Sequence, residues 1–121
     1  MQVHATDLRA EVKADWSTLS TTGCPDEAGL DAFVHQIVDD WRQAGLPDAF
    51  GLLAEYAEQV TRRPATCSEQ DIARLRAAGW SDEAIHDAVQ VVAYFNYINR
   101  VAEALGVELE PDQPRWGTAG R

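Results

Sequence analysis

Asn96, Asn99 and Arg100 stand three and four residues apart in "AYFNYINRVAEAL", directly after the apolar run "AVQVVAYF". On a helix this spacing brings two amides and a guanidinium to one side, a turn apart. Such a trio can position a carboxylate or enolate while a base removes a proton. Glu55 is the candidate base, because it falls close to the apolar stripe of Phe50, Leu53, Ala54 and Ala57. A partly buried carboxylate is the usual form of a general base. The stripe Ile85, Ala88, Val89, Val92 continues through Asn96 and Asn99, so both amides are expected to point towards the core. Left unpaired there, each would cost roughly 1–3 kcal/mol, so partners are required. Two readings follow. The trio is a buried clamp that fixes helix packing or a subunit contact, or it lines a pocket for a small molecule.

The thiols offer a second chemistry. Cys67 precedes a predicted helix start, where the dipole and free amides favour a thiolate. Its plainer role is as a small apolar staple partner of Ile72. Cys24 stands at another helix start and reads as a cap. No Cys-x-x-Cys and no zinc spacing is present. His4, His35 and His86 form no i, i+4 pair, and His35 with Asp39 is too little for a metal. Neither metal nor cofactor is expected.

With 121 residues, 45% of them apolar, the chain is the size of one domain with a modest core. Twenty acidic residues against ten basic ones give a formal net charge of −10. The basic residues do not cluster, so a phosphate backbone would repel this surface and nucleic-acid binding is not expected. No apolar run is long enough to span a bilayer, and "MQVHATDLRAEVKADW" has no signal-peptide core, so a cytoplasmic protein is expected.

The elements that must position these residues all read as helices. The first is predicted over 6–19, with Leu8, Val12, Trp16 and Leu19 on one stripe. The second enters through Cys24-Pro25-Asp26-Glu27, with proline at the first helical position, and stops at Gly45. The third restarts at Leu46-Pro47-Asp48 and runs to "TRRPAT". Ser68 caps the fourth, which closes at Gly79. Ser81 caps the fifth, which closes at Gly106. Trp80 and Ile85 have the spacing of a hydrophobic staple around Ser81. The expectation is an all-α, single-domain antiparallel bundle of about five helices over 1–110, followed by a flexible tail over 111–121 in which Trp116 docks or swings free.

Three blocks, "LAEYAEQVTRRP", "DIARLRAAGWSDEAIHDA" and "VVAYFNYINRVAEALGVELE", resemble the C-terminal part of peroxidase-related proteins in the alkylhydroperoxidase-like, or carboxymuconolactone decarboxylase, superfamily. The resemblance covers 52–110. It implies an all-helical fold whose subunits associate as dimers, trimers or hexamers. Active members carry Cys-x-x-Cys-x-x-x-His with an upstream glutamate. Registered on "LRAAG", Cys67 falls at the second cysteine, Pro64 at the first and Asp71 at the histidine. A dithiol relay needs two sulfurs that can bridge, so this chain departs from the family's mechanism.

The expected function is therefore a helical protein of this fold without dithiol peroxidase activity, acting as a homo-oligomer or as the companion of a related Cys-x-x-Cys protein. Association is expected through the third and fifth helices, near Tyr94, Phe95 and Tyr97. One alternative is a cofactor-independent enzyme with Glu55 as base and Asn96, Asn99 and Arg100 holding a small-molecule ligand. Another is a single-cysteine redox protein using Cys67.

Overall fold

Helix starts in this chain are set by short polar side chains. Asp26 accepts a hydrogen bond from the Gly29 amide at 2.8 Å, and Ser81 Oγ accepts from the Ala84 amide at 3.1 Å. At Ser68 the Asp71 carboxylate reaches back to accept from the Ser68 amide at 2.8 Å, one arm of a capping box. A computed structural model describes residues 2–108 and 110–112, with the side chains of residues 2 and 3 left aside. It is all-α, and no strand occurs among the described residues. The tail expectation, with Trp116, lies almost wholly outside the described residues.

Six helices follow: α1 (Gln2–Ala14), α2 (Trp16–Leu19), α3 (Glu27–Asp40), α4 (Asp48–Arg62), α5 (Glu69–Ala77) and α6 (Asp82–Ala104). Short 3₁₀ turns fill Trp41–Gln43 and Pro64–Thr66. The described residues group into two compact units, Asp48–Glu108 forming the second and the remaining described residues the first.

The first unit packs α1 on α3. Ala5 and Val34 are buried, with Leu8 and Val38 against them. Arg9 pairs with Asp31 and, at 2.6 Å, with Glu27, which also receives Lys13 at 2.5 Å. The predicted first helix begins earlier than expected and breaks at Asp15, whose carbonyl takes the Thr18 hydroxyl at 2.7 Å. Beyond the break, the Trp16 indole donates to the Thr22 carbonyl and meets Phe33 edge-on at 5.3 Å. Pro25 does not occupy the first helical position; Asp26 caps α3 and Pro25 precedes the cap. A Cβ on Gly29 would come within 2.7 Å of the Pro25 ring, so glycine is what lets the proline fold back over the helix. Cys24 is exposed, and Asp26 takes the capping role expected of it.

In the second unit α4 and α5 run antiparallel, while α6 runs in the same sense as α4. Two anchors fix that sense. Trp80, just before α6, donates its indole N–H to the Ala49 carbonyl at 2.9 Å and meets Phe50 edge-on at 5.1 Å. Late in α6, Arg100 reaches the Thr61 carbonyl at the end of α4. The α5 terminus closes with paired bonds, Gly79 amide to Arg76 carbonyl and Trp80 amide to Leu75 carbonyl. Gly79 sits there at φ 102°, which a side chain would strain. Gly106 closes α6 in the same manner at φ 65°. The fully buried apolar residues of this unit are few. Leu75 and Ile85 are the ones below a tenth exposed among its described residues, and α4 buries none completely.

Candidate functional site

Leu52, Glu55, Tyr56 and Gln59 recur at one-turn spacing on α4 and face Asp71, Arg74 and Leu75 of α5 across a shallow cleft. Gln59 Nε2 donates to Asp71 at 3.3 Å and to Thr66 Oγ1 at 3.2 Å, tying the end of α4 to the start of α5. The Asp71 carboxyl is held below the usual carboxylate range, first by the Ser68 amide and then by the Ser68 hydroxyl, Gln59 and the charge of Arg74. The cleft encloses about 10 Å³. That admits about one water, whereas substrate pockets run to roughly 300–1,000 Å³.

Glu55 lies on the cleft rim but is exposed, which corrects the expectation of partial burial. The ion pair to Arg62 belongs to Glu58, at 3.7 Å, not to Glu55. The neighbouring position, Tyr56, is the one that turns inward. Burial pushes its pKa up, with Cys67 and Asp71 adding to the effect. Cys67 is half-buried and unbridged.

Asn96, Asn99 and Arg100 do not join this cleft. Asn96 is half-buried, but Asn99 and Arg100 are exposed, so the expected core-facing amide at Asn99 is corrected. Asn99 stands at the helical angle of the inner stripe, but α4 ends at Arg62, close to this level of α6, and the amide is left exposed. Arg100 instead spans the helix ends, donating Nη1 to the Asn96 carbonyl and Nη2 to the Thr61 carbonyl, both at 3.2 Å. Cations commonly satisfy last-turn carbonyls in this way. The buried clamp expected of the trio is corrected: Arg100 bonds these two backbone carbonyls, not Glu55, from an exposed position.

The opposite side of α6 was not singled out from the sequence as a continuous face. Val91, Tyr94, Ile98, Val101 and Leu105 recur at alternating steps of three and four and are 37–75% exposed, with Tyr97 beside them at 64%. The signal was legible as a second apolar stripe, but the inner stripe of Ile85, Val89 and Val92 drew the reading first.

His35 and Asp39 join no cluster of three potential ligands, and none that could hold a metal occurs among the described residues. No described helix is long and apolar enough to cross a membrane. No protein-family model matches this chain, and no curated protein matches it significantly.

Proposed function

We propose that this chain is an associating helical subunit of the carboxymuconolactone-decarboxylase-like type, without the dithiol peroxidase chemistry of that superfamily's active members. The observation that carries the reading is the uncovered apolar side of α6. A unit of about 60 residues is marginal on its own core, and this one adds a broad apolar face it does not bury. The resembling blocks fall on α4, α5 and α6, the helices of that same unit. Two unbridged cysteines in separate units, neither with a second thiol nearby in sequence, are consistent with a reducing, cytoplasmic setting. In this reading Gln59 and Asp71 tie α4 to α5, and Arg100 ties α4 to α6. The partner is a second copy or a related Cys-x-x-Cys protein. The test joins two measurements on the purified protein. Light scattering should report a dimer or larger species, and alkyl hydroperoxide with a dithiol reductant should be turned over no faster than background. A monomer throughout the micromolar range would overturn association with a second copy, and turnover abolished by Cys67→Ser would overturn the absence of peroxidase chemistry.

A second reading rests on Tyr56. Its phenol interacts electrostatically with Cys67, the half-buried thiol that a single-thiol redox protein would use. Alkylation of Cys67 by iodoacetamide should then slow several-fold in Tyr56→Phe. An unchanged rate would remove this reading.

A further inference from the structure

The outer side of α6 carries more than a generic apolar patch. Val91, Tyr94, Ile98, Val101 and Leu105 follow a strict 3-4-3-4 spacing, the repeat of a coiled-coil seam, over four turns. Their exposures, with that of Tyr97, amount to about 600 Å² per chain when each side chain is taken at roughly 150–200 Å². That is the upper end of what a monomer leaves uncovered, roughly 300–600 Å². Two such faces together bury about 1,200 Å², where specific interfaces begin.

Charge narrows the occupant. The chain as a whole carries −10, yet no acidic residue occurs between Asp87 and Glu103, and the one charge in that stretch is Arg100. Hydrogen bonds turn Arg100 away to Thr61 and Asn96. Two copies can therefore meet along this face without opposing carboxylates, although their remaining surfaces repel.

Direction follows from size and charge together. In a parallel pair, Tyr94 would meet its own copy, and the acidic entrances of α6, Asp82, Glu83 and Asp87, would lie side by side. In an antiparallel pair centred on Ile98, Val91 lies across from Leu105, and Tyr94 falls within one residue of the level of the smaller Val101. The acidic entrances then fall at opposite ends, and the arrangement closes on a two-fold axis. We propose that this chain forms an antiparallel two-fold homodimer through the outer face of α6, with Ile98 on the axis. This deepens, and rests on, the associating-subunit reading above.

Disulfide mapping tests it in a Cys24→Ser, Cys67→Ser background, with light scattering on the parent chain and circular dichroism on each variant. Ile98→Cys should cross-link to itself under mild oxidation. Val91→Cys and Leu105→Cys should each fail alone and cross-link efficiently when both are on the same chain. Ile98→Glu should weaken association at least tenfold while keeping the helical spectrum. Efficient cross-linking of Val91→Cys or Leu105→Cys alone would overturn the antiparallel proposal in favour of a parallel pair. A dimer that survives Ile98→Glu and forms no Ile98→Cys bond would overturn the seam but leave the associating subunit standing. A monomeric parent would overturn both the seam and association with a second copy.

Discussion

Trp80 tests how the second unit is held. Its indole N–H donates to the Ala49 carbonyl at 2.9 Å, and its ring meets Phe50 at 5.1 Å with the planes 88° apart. Trp80→Phe removes the donor and part of the ring while leaving an aromatic in place. A hydrogen bond of this kind contributes about 0.5–1.5 kcal/mol net. The smaller ring gives up roughly 40 Å² of apolar contact, or about 1 kcal/mol at 25 cal/mol per Å². The expected loss is about 1.5–2.5 kcal/mol, a fall in Tm of about 6–10 °C for a chain of this size. Urea denaturation followed by circular dichroism measures it. Protein concentration must be matched between variants, because association itself adds to apparent stability. Adding Phe50→Leu completes a double-mutant cycle, in which edge-on rings should couple by about 0.5–1.5 kcal/mol. A loss below about 0.5 kcal/mol in Trp80→Phe would mean that the indole anchors nothing.

The same denaturation assay separates the residues of the late α6 turn. Asn99→Leu should change stability by less than about 0.5 kcal/mol because the amide is exposed. Arg100→Ala should cost about 1 kcal/mol through the lost bonds to Thr61 and Asn96, and a cost of 3 kcal/mol or more would revive a buried ion pair. Acid acts on the first unit through Glu27, whose carboxyl is held down to about 2 by the Lys13 ammonium and the Arg9 guanidinium, against an ordinary value of 4.5. Because its folded pKa is depressed, its stabilisation is complete above about pH 5 and is lost as pH falls towards 2. The stability difference between wild type and Glu27→Gln should therefore be constant near neutrality and close between about pH 4.5 and 2. A difference that does not change with pH would contradict the pairing.

Helix boundaries were legible because punctuation is local. Ser68, Ser81, Gly79 and Gly106 act within a turn of themselves, and the structure places each where the sequence did. The break at Asp15 was not legible, since Leu8, Val12, Trp16 and Leu19 keep helical spacing across it while a Thr18 hydroxyl bond competes. Site residues were legible by type and not by partner. Glu55 and Tyr56 are adjacent, and a difference of 100° around α4 decides that the phenol, not the carboxylate, turns inward. Asn99 stands at the right angle for burial, but whether a facing helix extends that far depends on where α4 ends, a non-local fact. The outer apolar stripe of α6 lay in the sequence all along. Recognising it required knowing which apolar stripe the chain covers by itself.

Sedimentation equilibrium of the wild-type chain beside Ile98→Glu, across the micromolar range at neutral pH, addresses the α6 interface most directly. The wild type should fit a monomer–dimer equilibrium with a dissociation constant in the micromolar range, and Ile98→Glu should remain a monomer of 13.3 kDa with an unchanged helical spectrum. Equal masses for the two chains, whether both monomeric or both dimeric, would contradict association through this face.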